Sequence, residues 1–143
     1  MPGSLLSFSG RLNRKPYWLI SLAVIVYFTA LIVAGAVLDL VATWGLILVL
    51  MASGLLVSLA ASVRRLHDRD KPGWWILLFY AVPAILDQLG QGREGAGYVF
   101  SLLSFGISIW ALVELGFLKG SAGSNRYGPD RLTTPQQSAA VAT

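Results

Sequence analysis

Long runs of uncharged, mostly apolar residues are the strongest constraint on the fold of this chain. Residues 18–38 and 41–63 contain no charged side chain, and residues 98–118 contain one, Glu114. A helical run of about 20 residues is about 30 Å long, which matches the hydrocarbon core of a bilayer. We therefore predict membrane-spanning helices over each of these three runs.

A fourth apolar run is shorter. Residues 74–86 are uncharged and would form a helix of only about 20 Å, in which Pro83 introduces a kink or leaves backbone groups without partners. This run crosses the membrane if its helix continues to about residue 90 or if the bilayer thins locally. The alternative is a re-entrant segment that returns to its starting side.

These runs predict an all-α fold, an integral membrane four-helix bundle with cytoplasmic N- and C-termini. We expect one four-span domain over residues 1–131 and a disordered tail over residues 132–143, where the composition is polar and rich in Thr, Gln and Ala. The predicted spans are about 18–38, 41–63, 74–90 and 98–118.

Composition agrees with a membrane protein. Hydrophobic residues make up 55% of the chain and charged residues 13%, against about 45–50% and about 25% in soluble domains. The absence of cysteine excludes disulfides, iron–sulfur clusters and thiolate zinc sites. The net charge of +4 comes from basic residues that flank the apolar runs, so we expect membrane lipids, anionic ones among them, as partners and no nucleic acid.

The basic residues also predict the orientation. Four crossings place ten of the 11 Lys and Arg residues on one side and Arg93 alone on the other, and the side rich in positive charge is cytoplasmic by the positive-inside rule. The ten are Arg11, Arg14, Lys15, Arg64, Arg65, Arg69, Lys71, Lys119, Arg126 and Arg131. Three distant segments, the N-terminal one, residues 63–75 and residues 120–130, are therefore expected to meet on one membrane face.

We predict a ligand-binding surface on that face, because guanidinium groups bind phosphate or carboxylate in a bidentate manner. An anionic lipid headgroup or a small anion is the expected ligand. The alternative is that these charged groups pair with one another and brace short loops. The candidate ligand-binding residues are Arg11, Arg14, Arg64, Arg65, His67, Asp68, Asn125, Arg126 and Tyr127.

Glu114 supports a second hypothesis. An acidic residue inside a span indicates function by default, and with the serines at 101, 104 and 108 and with Pro83 it could line a path in a small transporter or channel component. The alternative is structural, because Glu114 is close enough to the membrane boundary to reach headgroup water or to pair with an arginine of residues 63–75.

A membrane enzyme is the third hypothesis. His67 is the only histidine, and it could act as an acid or base on a lipid or small anion held by Arg64 or Arg65. One histidine is too few to predict a metal site, and no nucleophile elbow, phosphate loop or dinucleotide motif is present. We therefore predict no catalytic residue and no cofactor, and the balance is against an enzyme.

Small residues nominate a packing face on the second span. Gly54, Ser58 and Ser62 recur every fourth residue, so they share one side of a helix that a neighbouring backbone can approach closely.

Three ordered motifs also resemble a known family. FSGRLNRKPYW at residues 8–18, VRRLHDRDKPGWW at 63–75 and GSNRYGPD at 123–130 are similar to the signatures of the bacterial domain-of-unknown-function 805 family of small inner-membrane proteins. The resemblance implies a multi-pass protein of the bacterial inner (plasma) membrane with no established activity. From this resemblance and the charge pattern, we predict a non-enzymatic module that binds anionic lipid or a partner protein. The protein could also form a homo-oligomer.

Overall fold

The computed structural model describes residues 4–38 and 44–129. The predicted tail at 132–143, Arg131 and the connection at 39–43 lie outside the described residues. The described helices are α1 Arg14–Leu38, α2 Trp44–Asp68, a first π-helical turn Leu77–Ala81 that continues into α3 Val82–Gly90, and α4 Ala96–Leu112, which continues into a second π-helical turn Val113–Phe117. The predicted all-α fold with four helices is confirmed.

Three of the helical segments are long and apolar enough to cross a membrane. They are Arg14–Val37, Gly45–Asp68 and Ala96–Phe117, whereas the helix Leu77–Gly90 is shorter. The ends of α3 and α4 are adjacent, because a Cβ added at Gly97 would lie 2.8 Å from the carbonyl oxygen of Gly90. The third helix therefore ends beside the start of α4, and whether it crosses the membrane or forms a re-entrant segment stays a prediction.

The first hairpin is formed by α1 and α2. The Tyr27 hydroxyl donates to the Leu50 carbonyl at 2.8 Å, and a Cβ added at Gly54 would lie 2.9 Å from the Phe28 ring. Gly54 therefore permits the close approach that the small-residue pattern predicts. Ser62 belongs to the same small-residue pattern and is buried. Its hydroxyl lies 3.1 Å from the hydroxyl of Tyr80 in the third helix.

The second hairpin is formed by the third helix and α4. Pro83 lies in the first turn of α3, directly after the first π-helical turn. A proline cannot donate a backbone hydrogen bond and its ring clashes with the preceding turn, so a locally wider helix accommodates it. Ser104 is buried and donates to the Pro83 carbonyl at 3.3 Å, which links the two helices at this irregularity.

The two hairpins meet at one end. Among the described helices, the backbones of the two hairpins approach closely only at the second π-helical turn, which contacts α1 and α2. The buried hydrophobic cluster of Leu66, Phe79, Ala111 and Leu115 lies here, with Tyr17 and Trp75 packed against it. We call this end of the bundle the basic face; it comprises residues 9–15, 64–71 and 114–126.

The end of the second helix differs most from its predicted boundary. The second span was predicted to end at residue 63, whereas α2 continues to Asp68, so the first half of the charged segment 63–75 is helical. The continuation keeps the backbone hydrogen-bonded internally and places Arg65 and Asp68 three residues apart on one helix face. The chain leaves the helix at Asp70, which has a positive φ of 57°.

Candidate functional site

A buried carboxylate organises the basic face. Asp68 accepts a hydrogen bond from the Arg11 Nε at 3.0 Å and pairs with the Arg65 guanidinium. Only 2% of Arg11, 0% of Arg65 and 3% of Asp68 is exposed. Buried charges are tolerated when they are paired and fully hydrogen-bonded, and a Cβ added at Gly120 would collide with this carboxylate. The cluster therefore fixes both the charges and the backbone around it.

The end of the fourth helix accepts hydrogen bonds from side chains of α1, of α2 and of the residue that follows α2. The last carbonyl groups of a helix lack partners within the helix and carry its partial negative charge, and here a side chain donates to each carbonyl from residue 115 to residue 119. The bonds run from Arg65 to Leu115 and Leu118, from Trp18 to Gly116, from Arg14 to Phe117 and from Arg69 to Lys119. Three arginines and Trp18 thus act as C-terminal caps for this helix.

The C-terminal segment is fastened to the end of α2. The Ser121 backbone N–H donates to the Asp68 carbonyl at 2.8 Å, and Arg11 donates to the Ser121 carbonyl at 2.6 Å. Asn125 donates to the His67 carbonyl at 2.9 Å, while the His67 and Tyr127 rings stack with centroids 3.8 Å apart. His67 therefore serves as a packing surface for this segment.

The side chains of two further candidate ligand-binding residues also make hydrogen bonds to other groups of the protein. Arg126 donates to the Asp70 carboxylate at 3.1 Å and lies above the Tyr127 ring. Arg64 is buried and donates to the carbonyls of Ala60 at 3.2 Å and Leu5 at 3.3 Å.

Glu114 lies on the second π-helical turn at the basic face. Its carboxylate is 2.6 Å from the Arg69 Nε and 2.6 Å from the Lys71 Nζ, and 3% of the residue is exposed. Lys71 also lies 4.1 Å from the Trp75 ring centroid. Glu114 therefore forms an ion pair with an arginine of residues 63–75, as the structural interpretation of this residue predicted.

The structure thus brings the three predicted segments together, and it directs most of their charged groups at one another. Arg11, a candidate ligand-binding residue, has its side chain turned into the protein, because the Asp68 carboxylate and the carbonyls of residues 121 and 123 satisfy its donors there. Whether the candidate residues bind a ligand stays a prediction.

A cavity of about 370 Å³ lies beside the cluster. Arg14 and Lys119 are exposed at this cavity and Asn13 is half-buried. Four cationic side chains and one carboxylate contribute to its wall, so positive charge is in excess. The lining residues are Arg11, Asn13, Arg14, Arg65, Asp68, Lys119, Gly120, Ser121 and Ala122.

Sequence reasoning missed Asn13, Lys119 and Ser121 as cavity residues. Lys119 was used only as an orientation signal, and its position directly after the last span was the available clue. Within the described residues, no group of three or more His, Asp or Glu side chains is placed to hold a metal ion.

Comparisons with known proteins match most of the chain. Residues 5–129 match the family model described as protein of unknown function (DUF805). The chain is 36% identical over 123 residues to inner membrane protein YhaI of Escherichia coli K12, covering 86% of this chain and 84% of that protein. It is 30% identical over 131 residues to inner membrane protein YhaH of the same organism, covering 90% and 89%.

A third relative, the uncharacterized protein YiiR of Escherichia coli K12, is 32% identical over 137 residues, covering 88% of this chain and 86% of that protein. No solved structure matches the chain. The apolar helices and these relatives identify an integral protein of the bacterial inner membrane. The chain belongs to the DUF805 family.

Proposed function

We propose that this inner-membrane protein is a non-enzymatic module that binds a phosphate-bearing anion in the cavity of its basic face. The observation that carries the proposal is the convergence of cations on one concave site of about 370 Å³, a volume within the usual range for small ligands. A concave site suits a single phosphate group better than it suits the flat surface of a partner protein.

Arg14 and Lys119 are the ligand-binding candidates that geometry favours. The donors of Arg11 and Arg65 are committed to Asp68 and to backbone carbonyls, so these two buried residues supply positive potential and do not need to move. Arg14 is exposed and makes a hydrogen bond of 3.3 Å through Nη1, and its guanidinium can form bidentate contacts to phosphate. Lys119 is exposed and uses its carbonyl in the bond to Arg69.

The alternatives gain no support from the described residues. Glu114 is held by Arg69 and Lys71, so a transport path through it would first have to break two ion pairs. His67, the only histidine in the chain, was the candidate acid or base. The Tyr127 ring stacks on its imidazole and covers one of its two faces.

Binding to the purified full-length protein tests the proposal. Native mass spectrometry should show preferential retention of phosphatidylglycerol over phosphatidylcholine, or thermal shift should show stabilisation by inorganic phosphate. Arg14→Gln or Lys119→Gln should weaken the binding by about tenfold each, as expected for a lost charge-assisted hydrogen bond.

The matched control is Arg93→Gln, which removes an exposed cation from the opposite end of the bundle and should leave binding unchanged. Equal effects of all three variants would show that only net charge matters, and selective binding of neither probe by the unaltered protein would refute the proposal.

A further inference from the structure

A second concavity opens next to the basic cavity and shares Arg14 with it. This groove has a volume of about 690 Å³ and lies between α1 and the second π-helical turn. Its basic end is formed by Arg14 and Lys15, and its apolar walls include Trp18, Leu19, Leu22 and Phe117.

The groove runs away from the basic face along α1. Residues 15, 18, 19 and 22 lie on one side of successive turns, so the wall extends about 10 Å toward the membrane interior. It lies at the seam where the two hairpins meet before their helices separate. The groove therefore joins a basic site at the membrane surface to an apolar site within the bilayer.

Two residues of the apolar wall, Trp18 and Phe117, are held in place by contacts with each other and with the backbone. Trp18 donates to the Gly116 carbonyl at 3.0 Å, and its ring packs edge-to-face on Phe117 with centroids 5.6 Å apart. Leu19 is 69% exposed, so a large part of its side chain is available to an occupant.

The two ends require different chemistry from one ligand. A soluble anion can use the cations but leaves the apolar wall uncovered, whereas an anionic phospholipid complements both. From this geometry we infer that the ligand is an anionic phospholipid, with its headgroup in the basic cavity beside Arg14 and an acyl chain along Leu19 and Leu22. The inference rests on the proposed function and names the ligand class.

A second copy of this chain fits the groove less well. Its own basic face would lie at the same membrane depth and would bring further positive charge to Arg14 and Lys15, where like charges repel. The charge at the basic end thus favours an anionic lipid over a homodimer contact.

Blocking the groove without removing a charge tests the inference. In native mass spectrometry of the full-length protein with dioleoylphosphatidylglycerol, Leu22→Trp should lower lipid retention by about tenfold, the effect of losing about ten close carbon–carbon contacts. Val33→Trp is the matched control, because Val33 is also exposed on α1 but lies about 16 Å farther along the helix. Leu19→Trp blocks the same groove and repeats the test if the first variant does not fold.

A competition arm separates the ligand sources. Soluble glycerophosphoglycerol, which has the headgroup but makes no acyl-chain contacts with the groove, should compete at least about tenfold more weakly than the lipid. If groove variants bind the lipid as the unaltered protein does, or if the soluble headgroup competes equally, the lipid inference fails while anion binding stands. If the unaltered protein retains phosphatidylglycerol no better than phosphatidylcholine and does not bind the soluble headgroup, both proposals fail.

Discussion

At the scale of the residue, Arg11 and Arg14 show why residue type does not reveal the role of a charge. Three positions separate them, yet Arg11 is buried against Asp68 and Arg14 is exposed at the cavity. The sequence correctly indicated that both lie on one face with residues 63–75 and 120–130. It could not indicate which guanidinium turns inward, because that depends on carbonyl groups more than 100 positions away.

Asp68→Asn should lower the free energy of unfolding by about 3–5 kcal/mol, because it leaves two buried guanidinium groups without their charged partner. Denaturant titration in detergent micelles measures the loss. Asp70→Asn is the control, since the ion pair of Asp70 with Arg126 is exposed and should contribute at most about 1 kcal/mol. Equal losses in the two variants would contradict a structural role for the buried cluster.

At the scale of the element, the irregular helical turns were only partly readable from the sequence. Pro83 signalled the irregularity in the third helix, although not its π-helical form. The second π-helical turn contains neither proline nor another local signal apart from Gly116, and its carbonyls are satisfied by side chains from α1 and α2. Such a turn depends on tertiary partners, which local patterns do not contain.

Gly116→Ala should destabilise the protein by about 1–3 kcal/mol, because the added Cβ would lie 2.7 Å from the Trp18 ring and overpacking displaces neighbours. Gly106→Ala in α4 is the control: a Cβ there would have no neighbour within 4 Å, and alanine favours the helix by about 0.5–1 kcal/mol. Thermal unfolding of both variants measures the difference, and similar midpoints would argue against the tight contact of α1 with this turn.

At the scale of the whole molecule, hydropathy predicted the four helices, since length and apolar composition are local properties. The extension of α2 to Asp68 was missed because charged residues normally end a span, and here burial against other segments allows the helix to continue. The meeting of the three charged segments followed from topology. The cytoplasmic orientation of the termini remains a prediction of the charge distribution.

Labelling of single introduced cysteines tests the orientation. The chain contains no cysteine of its own, so each variant has one labelling site. In spheroplasts, a membrane-impermeant maleimide should label Arg93→Cys and should label Ser124→Cys only after lysis; both positions are exposed. Labelling of both positions from outside would mean that α4, the helix between them, does not carry the chain across. The reverse pattern would contradict the predicted topology, because it follows either from an inverted orientation or from a third helix that does not cross.

The capping of residues 115–118 by side chains from α1 and α2 also has a consequence for biosynthesis. Arg65 finds its carbonyl acceptors about 50 positions later in the chain, so these bonds cannot form until the fourth span has left the ribosome. If the first hairpin enters the membrane before then, Arg65 and Asp68 are still hydrated at its surface. Docking of the second hairpin is the step that removes this water, and it completes the protein only when nearly the whole chain has been made.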